Sequence, residues 1–599
     1  MSRRVSLYHL FLTVLALLII VASRVPLMRS VEPEGDEINN LYLSIGTPAD
    51  IIARTPYDWV PGGFLVMGAW QSLVGQHPFV LRWLPLLVFL LGCAFAYRLL
   101  LRWRGHDAAL LGLLAYGALG LHIFMSIYMR GYSYPVALLP CALWLTARYF
   151  DHPRFGRALV LALVMVAMFY TQMTSAVAFA MLGLYTLLVY RVRVWRWWLP
   201  AMIALPLAVP EIVRQRSLLG GRLDSLSTIS LPSLPEAYAN LFTSYVGSAT
   251  TVWVALLLLS LVLIALRDRL LRPRAWVLLV WALVMPVVLY LLNPLLGFFS
   301  GRYSWWVACG IALLIAWGLA HLPRVGRWGA MIALALLCFA PFDAGRYLVV
   351  RGPLLENYRW WVDYLRAGDV VVRDPANDCG EPEKWEMYTR VFFPQGLQFV
   401  STPADADRVW FITFDGSQTP ALFDTVQQGR VAGRFVGTPN CLFRLYEAPP
   451  DRAGISFENG MRFHGVEVID AQDGLWTAPV LRREGESLRV RLWWSADGTM
   501  DRDYSVGLYL FDSSGAMVTQ VDSAPQVTLP EAAPAETSRW QPQTLYIEER
   551  TLTIPYPAAR GTYRLALAVY GWWDNVRLPA PGVGVDGTLT LLPVEVAAW

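Results

Sequence analysis

Lysine is all but missing. Of 49 basic residues only Lys384 is a lysine, a bias expected of a GC-rich genome. Charge of either sign is scarce: 16% of residues are charged and 56% are hydrophobic, against about 25% charged in soluble domains. That excludes an ordinary soluble chain. The net charge of +4 is spread over loops and forms no basic patch, so no nucleic-acid partner is expected. The seven histidines are scattered without metal-ligand spacing. No His-Glu-x-x-His, Walker loop, Cys-x-x-Cys or Gly-x-Ser-x-Gly occurs, which removes the common zinc-protease, nucleotide, dithiol and serine-hydrolase signatures. No cofactor is expected; the sequence leaves a divalent metal open. Cysteines number six. Cys93, Cys141, Cys309 and Cys338 lie in apolar segments and read as inert core residues. Cys379 and Cys441 stand alone in the polar part, where a disulfide is the expectation and two unrelated thiols the alternative.

What is present is apolar length. A bilayer core takes about 20 apolar residues per helix. Eleven segments qualify, near 7–23, 79–100, 107–124, 133–150, 158–172, 174–190, 197–213, 251–266, 275–293, 303–320 and 328–345. Arg24-Val25-Pro26 follows the first, with no small-residue cleavage site, so it reads as a helix rather than a signal peptide. Arginine clusters follow the second, fourth, sixth, eighth and tenth segments, and Arg3-Arg4 precedes the first. With eleven helices every cluster falls on one side, which predicts a cytoplasmic N-terminus and an outer C-terminus. The expected setting is a bacterial cell membrane, crossed many times.

Hydrophobicity thins after residue 345. Residues 346–450 read as a small α/β unit, with strands at Val370-Val371-Val372 and Val409–Ile412 and helices over 354–366, 383–392 and 421–428. Residues 451–599 read as an all-β sandwich, with alternation over 488–494, 505–511 and 562–570 and a hairpin turn at Asp512–Gly515. Both are expected outside the membrane. Trp493, Trp540, Trp572 and Trp573 read either as core or as platforms for sugar rings.

The scarce charges gather on the outer loops. Glu32, Glu34, Asp36 and Glu37 follow the first helix. Arg130 and Tyr132 lie before the fourth. Glu211, Arg214, Arg216 and Arg222 follow the seventh, and Arg302 and Tyr303 open the tenth. Arginine holds a lipid phosphate through its planar fork. A carboxylate beside it deprotonates an attacking hydroxyl. Asp36 and Glu37 are therefore the candidate catalytic pair. Arg130, Tyr132, Arg214, Arg302 and Tyr303 are the candidate lipid-phosphate contacts. The bland alternative is arginines snorkelling to headgroups and acids solvating a loop.

Residues 1–345 resemble the GT-C superfamily of integral-membrane glycosyltransferases, in particular the protein O-mannosyltransferases and the lipid A aminoarabinose transferases. Gly35-Asp36-Glu37, Arg130-x-Tyr132, Tyr170-Thr171-Gln172 and Arg302-Tyr303 carry the likeness, by order and loop placement. The resemblance implies an inverting hexosyl or pentosyl transfer from a polyprenyl-phosphate sugar to a hydroxyl of a protein, glycan or lipid. It implies Asp36 as general base and Arg302 as a phosphate contact. Two positions depart from the pattern: Tyr128 stands where a glutamate is common, and Gln172 where a histidine is. A lipid or glycan transporter is the alternative, disfavoured because no internal repeat occurs and acids are nearly absent inside the apolar segments.

Overall fold

The computed structural model describes residues 7–597 apart from 32, 57–58, 217–231, 269–271, 297–300, 302, 344–346, 348–360, 362–363, 377–396, 404, 414–417, 439–440 and 470–479. Packing divides the chain into two compact units, Met1–Arg351 and Gly352–Trp599.

The eleven apolar segments are helical over most of their described residues. The first is α1 (Leu7–Ser30). It is followed by three helices within the first long connection: α2 (Gly35–Leu43), α3 (Pro48–Arg54) and α4 (Gly62–Val74). Then come α5 (Pro78–Leu81), α6 (Trp83–Trp103), α7 (His106–Ala118), α8 (Gly120–Ile127), α9 (Ser133–Asp151), α10 (Phe155–Thr171), α11 (Ser175–Tyr190) and α12 (Trp198–Arg216). Beyond them lie Leu234–Val246, Thr250–Arg267, Pro273–Leu279 with Met285–Leu296, Trp305–Leu319 and Arg324–Leu337. Among the described residues four helices are long and apolar enough to cross a membrane, or five if the α7–α8 pair counts as one bent span. Many side chains on these helices face outward although apolar, Leu7, Leu18, Leu163 and Leu266 among them, as a lipid-facing surface requires.

The third segment is broken rather than continuous. α7 and α8 meet at 68° around Leu119. A break frees the last carbonyls of α7, and in an apolar interior they need donors. Arg24 of α1 supplies one: fully buried, it donates to Gly117 O, to Ser126 Oγ at 3.2 Å and to Ser23 Oγ at 2.6 Å. His122 Nδ1 lies 2.8 Å from Tyr116 O, which places its proton on that nitrogen. Gly92 lets α6 and α9 meet closely; a Cβ there would come 2.6 Å from Ala137 Cα.

Among its described residues the second unit holds three five-stranded sheets. The first has β1 (Val370–Arg373), β2 (Gln398–Val400), β3 (Arg408–Thr413), β4 (Val431–Thr438) and β5 (Cys441–Glu447) in the order β2-β1-β3-β5-β4. β1 pairs parallel with β2 and β3, and a helix over Pro420–Gln427 covers it. The expected helices over 354–366 and 383–392 lie outside the described residues, save isolated positions of the first. Cys441 is disulfide-bonded, and Cys379 lies outside the described residues.

The other two sheets pack face to face. One is built of β8 (Val480–Arg483), β10 (Ser505–Phe511), β11 (Met517–Ser523), β14 (Gly561–Tyr570) and β15 (Leu589–Ala597), in the order β11-β10-β14-β15-β8. The other is built of β6 (Ile455–Ser456), β7 (Met461–Ile469), β9 (Ser487–Ala496), β12 (Val527–Leu529) and β13 (Tyr546–Thr553), in the order β12-β13-β9-β7-β6. The alternation read at 488–494, 505–511 and 562–570 falls in β9 (Ser487–Ala496), β10 (Ser505–Phe511) and β14 (Gly561–Tyr570). Leu488, Val490, Leu492, Leu508 and Leu567 point into the shared core with Trp494. Trp540 is also buried there, and Trp493 packs on Val431 of β4 and Ile547, so neither can carry a sugar. Glu447 of β5 joins the α/β sheet to the sandwich, pairing with Arg408 and with Arg491 Nη2 at 3.1 Å.

The direction of the helical unit in a membrane is open to a direct test. Reporter fusions after residues 104, 157, 196 and 274 are expected to read as cytoplasmic, since each follows an arginine cluster. An outer reading at any of them breaks the eleven-span alternation.

Candidate functional site

The acidic stretch turns helical from Gly35. α1 runs to Ser30, and α2 begins at Gly35 with Asp36 and Glu37 in its first turn, where the helix dipole favours negative charge. Gly35 is thus the first helical residue, not the tight-turn glycine its position before Asp36 suggests. Glu34 is the N-cap, and Glu34 and Glu37 form a capping box in which Glu34 N–H donates to Glu37 Oε2 at 3.1 Å. Ile38 and Leu41 anchor the far side of α2 in the core.

Three residues of α2 face the turn between α8 and α9. Glu37 Oε1 accepts the Met129 N–H at 2.8 Å, and Asn40 Nδ2 donates to Met129 O at 2.8 Å. Both polar groups of residue 129 are therefore held by one helix. Asp36 takes the next residue, through an ion pair with Arg130 Nη1. Tyr128, the departure noted in the sequence, donates its hydroxyl to Glu34 Oε1. A carboxylate thus reaches position 128 from another loop.

Glu37 is spent on structure. Its Oε2 also pairs with Arg82 Nη2 at 3.2 Å, both side chains 1% exposed. Arg82, at the start of α6, donates further to Met28 O at 3.1 Å and to Val31 O, closing the end of α1. Asp36, by contrast, is partly exposed.

Arg130 carries the positive charge beside Asp36. Its guanidinium lies 4.0 Å from the Trp59 ring centroid and 5.6 Å from that of Tyr132. Trp59 and Tyr132 meet edge to face at 6.2 Å. Among the described residues Arg130 Nε is buried without a hydrogen-bond partner, so the fork keeps donor capacity beyond Asp36.

Close packing brings the remaining turns here. A Cβ on Gly62 would lie 2.4 Å from Tyr170 O, and one on Gly131 would lie 3.0 Å from Thr171 O. The turns at 62–63, 130–132 and 170–172 therefore converge, joining three of the four motifs singled out in the sequence. Arg214 sits beside them in another role. Its Nε and Nη2 fork onto Glu211 at 2.9 and 2.7 Å, and Nη2 also donates to Trp59 O. Gln215 Nε2 donates to the same carbonyl at 2.9 Å. Arg214 is thereby a brace for the Trp59 segment. Tyr303 is half-buried, followed by Ser304 bonded to Tyr245 Oη at 2.6 Å, and Arg302 and Arg222 lie outside the described residues. Trp59, Arg82 and Asn40 were missed from sequence; their contacts join residues many positions apart, with no local signal.

No family model and no curated protein sequence matches the chain. Solved structures do. The chain is similar to ArnT. The apo crystal structure of ArnT from Cupriavidus metallidurans aligns over 73% of this chain and 97% of its own, at 13% identity and a TM-score of 0.33. The structure of that ArnT bound to undecaprenyl phosphate aligns over 73% and 98%, with the same identity and TM-score. The C-terminal domain of Wzt aligns over 25% of this chain and 81% of its own, at 12% identity and a TM-score of 0.16. At TM-scores this low the chemistry rests on the geometry above.

Proposed function

We propose that the chain is a multi-pass membrane glycosyltransferase, moving a sugar from a polyprenyl-phosphate donor to an acceptor hydroxyl at the outer face, with inversion. The observation that carries this reading is the partly exposed Asp36 paired with Arg130 beneath Trp59, at the meeting of three helix-linking turns. Arg130 exchanges its bond to Asp36 for the donor phosphate, and Asp36 then accepts the proton of the acceptor hydroxyl. The acceptor oxygen bonds to the anomeric carbon as that carbon's bond to the phosphate oxygen breaks. The leaving group is the polyprenyl phosphate, whose charge Arg130 and, in this reading, Arg302 neutralise. Trp59 and Tyr132 fix the guanidinium plane. Glu37 orients the site and does not take the proton. Undecaprenyl phosphate, named with one ArnT structure, belongs to the class of the leaving group proposed here.

The test is sugar transfer from polyprenyl-phosphate sugars in membranes that contain the protein. Arg130→Lys is the informative variant, because it keeps the charge and loses the planar fork and its stacking. A charge-assisted phosphate contact contributes about 1.5–3 kcal/mol, so donor binding is expected to weaken by about tenfold or more. Wild-type donor affinity in Arg130→Lys would take Arg130 away from the phosphate.

A further inference from the structure

Two neighbouring tryptophans of the sandwich, Trp572 and Trp573, stay outside its core. β14 ends at Tyr570, and the chain turns at once through Gly571–Asn575. The turn is tied at both ends: Gly571 N–H donates to Val576 O at 3.1 Å, Asn575 N–H to Gly571 O at 2.8 Å, and Val576 N–H to Asp574 Oδ1 at 3.0 Å. Gly571 is required by space; a Cβ there would lie 2.6 Å from Asp574 Oδ1 and 2.9 Å from the Trp573 ring. The turn therefore holds the two tryptophans next to each other at the surface. Trp572 is 64% exposed and Trp573 39%. Their rings stand edge to face, 6.3 Å between centroids. Tyr504 meets Trp573 edge-on at 5.3 Å, and the Arg502 guanidinium lies 5.2 Å from the same indole. Burial first, and then the nearby charges of Asp501, Asp574 and Glu458, push the Tyr504 hydroxyl up.

We propose that this corner is a binding site for neutral pyranose glycans. A pyranose ring has an apolar C–H face that an exposed indole covers, and hydroxyls at its edge that donate to carboxylates. Trp572 supplies the platform, and Asp574 of the same turn supplies a carboxylate acceptor. Arg502 steadies Trp573 from above. Three carboxylates against one arginine leave the corner negative, which disfavours uronic acids, phosphates and an anionic lipid surface. The site is separate from Asp36 and Arg130, and the proposal does not depend on what they do.

The experiment uses full-length protein in detergent over immobilised mannan, dextran, galactan and polygalacturonate, read by biolayer interferometry. Retention is expected on at least one of the three neutral polymers and not on polygalacturonate. Trp572→Ala and Trp573→Ala are each expected to weaken it by about tenfold. Trp572 is a surface position, so the melting temperature of its variant should match wild type and separate lost binding from lost fold. No retention on any neutral polymer overturns the proposal. So does retention on polygalacturonate alone, or retention of the double variant at wild-type strength.

Discussion

Asp36→Asn is expected to abolish sugar transfer while leaving expression and donor binding near wild type. The substitution keeps size and one oxygen able to accept from Arg130, so the turn at 128–130 stays in place, held independently by Glu37 and Asn40. What it removes is the proton acceptor. Loss of a general base costs about 10²–10⁴ in rate. Among the three acids beside α1 that the structure describes, Asp36 is the one left partly exposed; Glu34 and Glu37 are buried and engaged. The assay is transfer from a polyprenyl-phosphate sugar in membranes, with donor binding measured in parallel. Full transfer by Asp36→Asn would move the chemistry elsewhere and sink the proposed mechanism.

Glu37→Gln has a different expected outcome, in stability before activity. The Glu37–Arg82 pair is fully buried, and neutralising one partner leaves an uncompensated guanidinium in the interior. Breaking a buried pair from one side costs about 3–5 kcal/mol. The variant should therefore melt well below wild type in detergent and accumulate poorly. Glu37→Gln combined with Arg82→Met should recover part of the loss, because neither charge is then stranded. A Glu37→Gln protein that melts like wild type yet transfers no sugar would instead place Glu37 in the chemistry beside Asp36.

Apolar length determined the helical unit. A run such as 303–320 with no acid can lower its free energy only by burying its backbone in its own hydrogen bonds, whatever surrounds it. Period-two alternation determined the sandwich strands in the same local way: in Leu488–Trp494 alternate side chains must face opposite sides of a sheet. Local signals failed where the outcome depended on a distant partner. The break at Leu119 is met by donors on Arg24, almost a hundred residues away, and Gly117 and Gly120 beside it do not by themselves tell a break from a continuous helix. Trp493 and Trp572 read alike in sequence, yet β4 covers one and a tied turn exposes the other. The site divides the same way. Its residue types and loop positions are in the chain, since scarce charge in an apolar sequence must be placed for a reason. The separation of roles is not. Asp36 and Glu37 are neighbours, but a helix turns successive side chains by about 100°. That rotation aims one at Arg130 and the other at Arg82 and Met129, and only the meeting of α2 with Arg82 and with the 128–130 turn decides which.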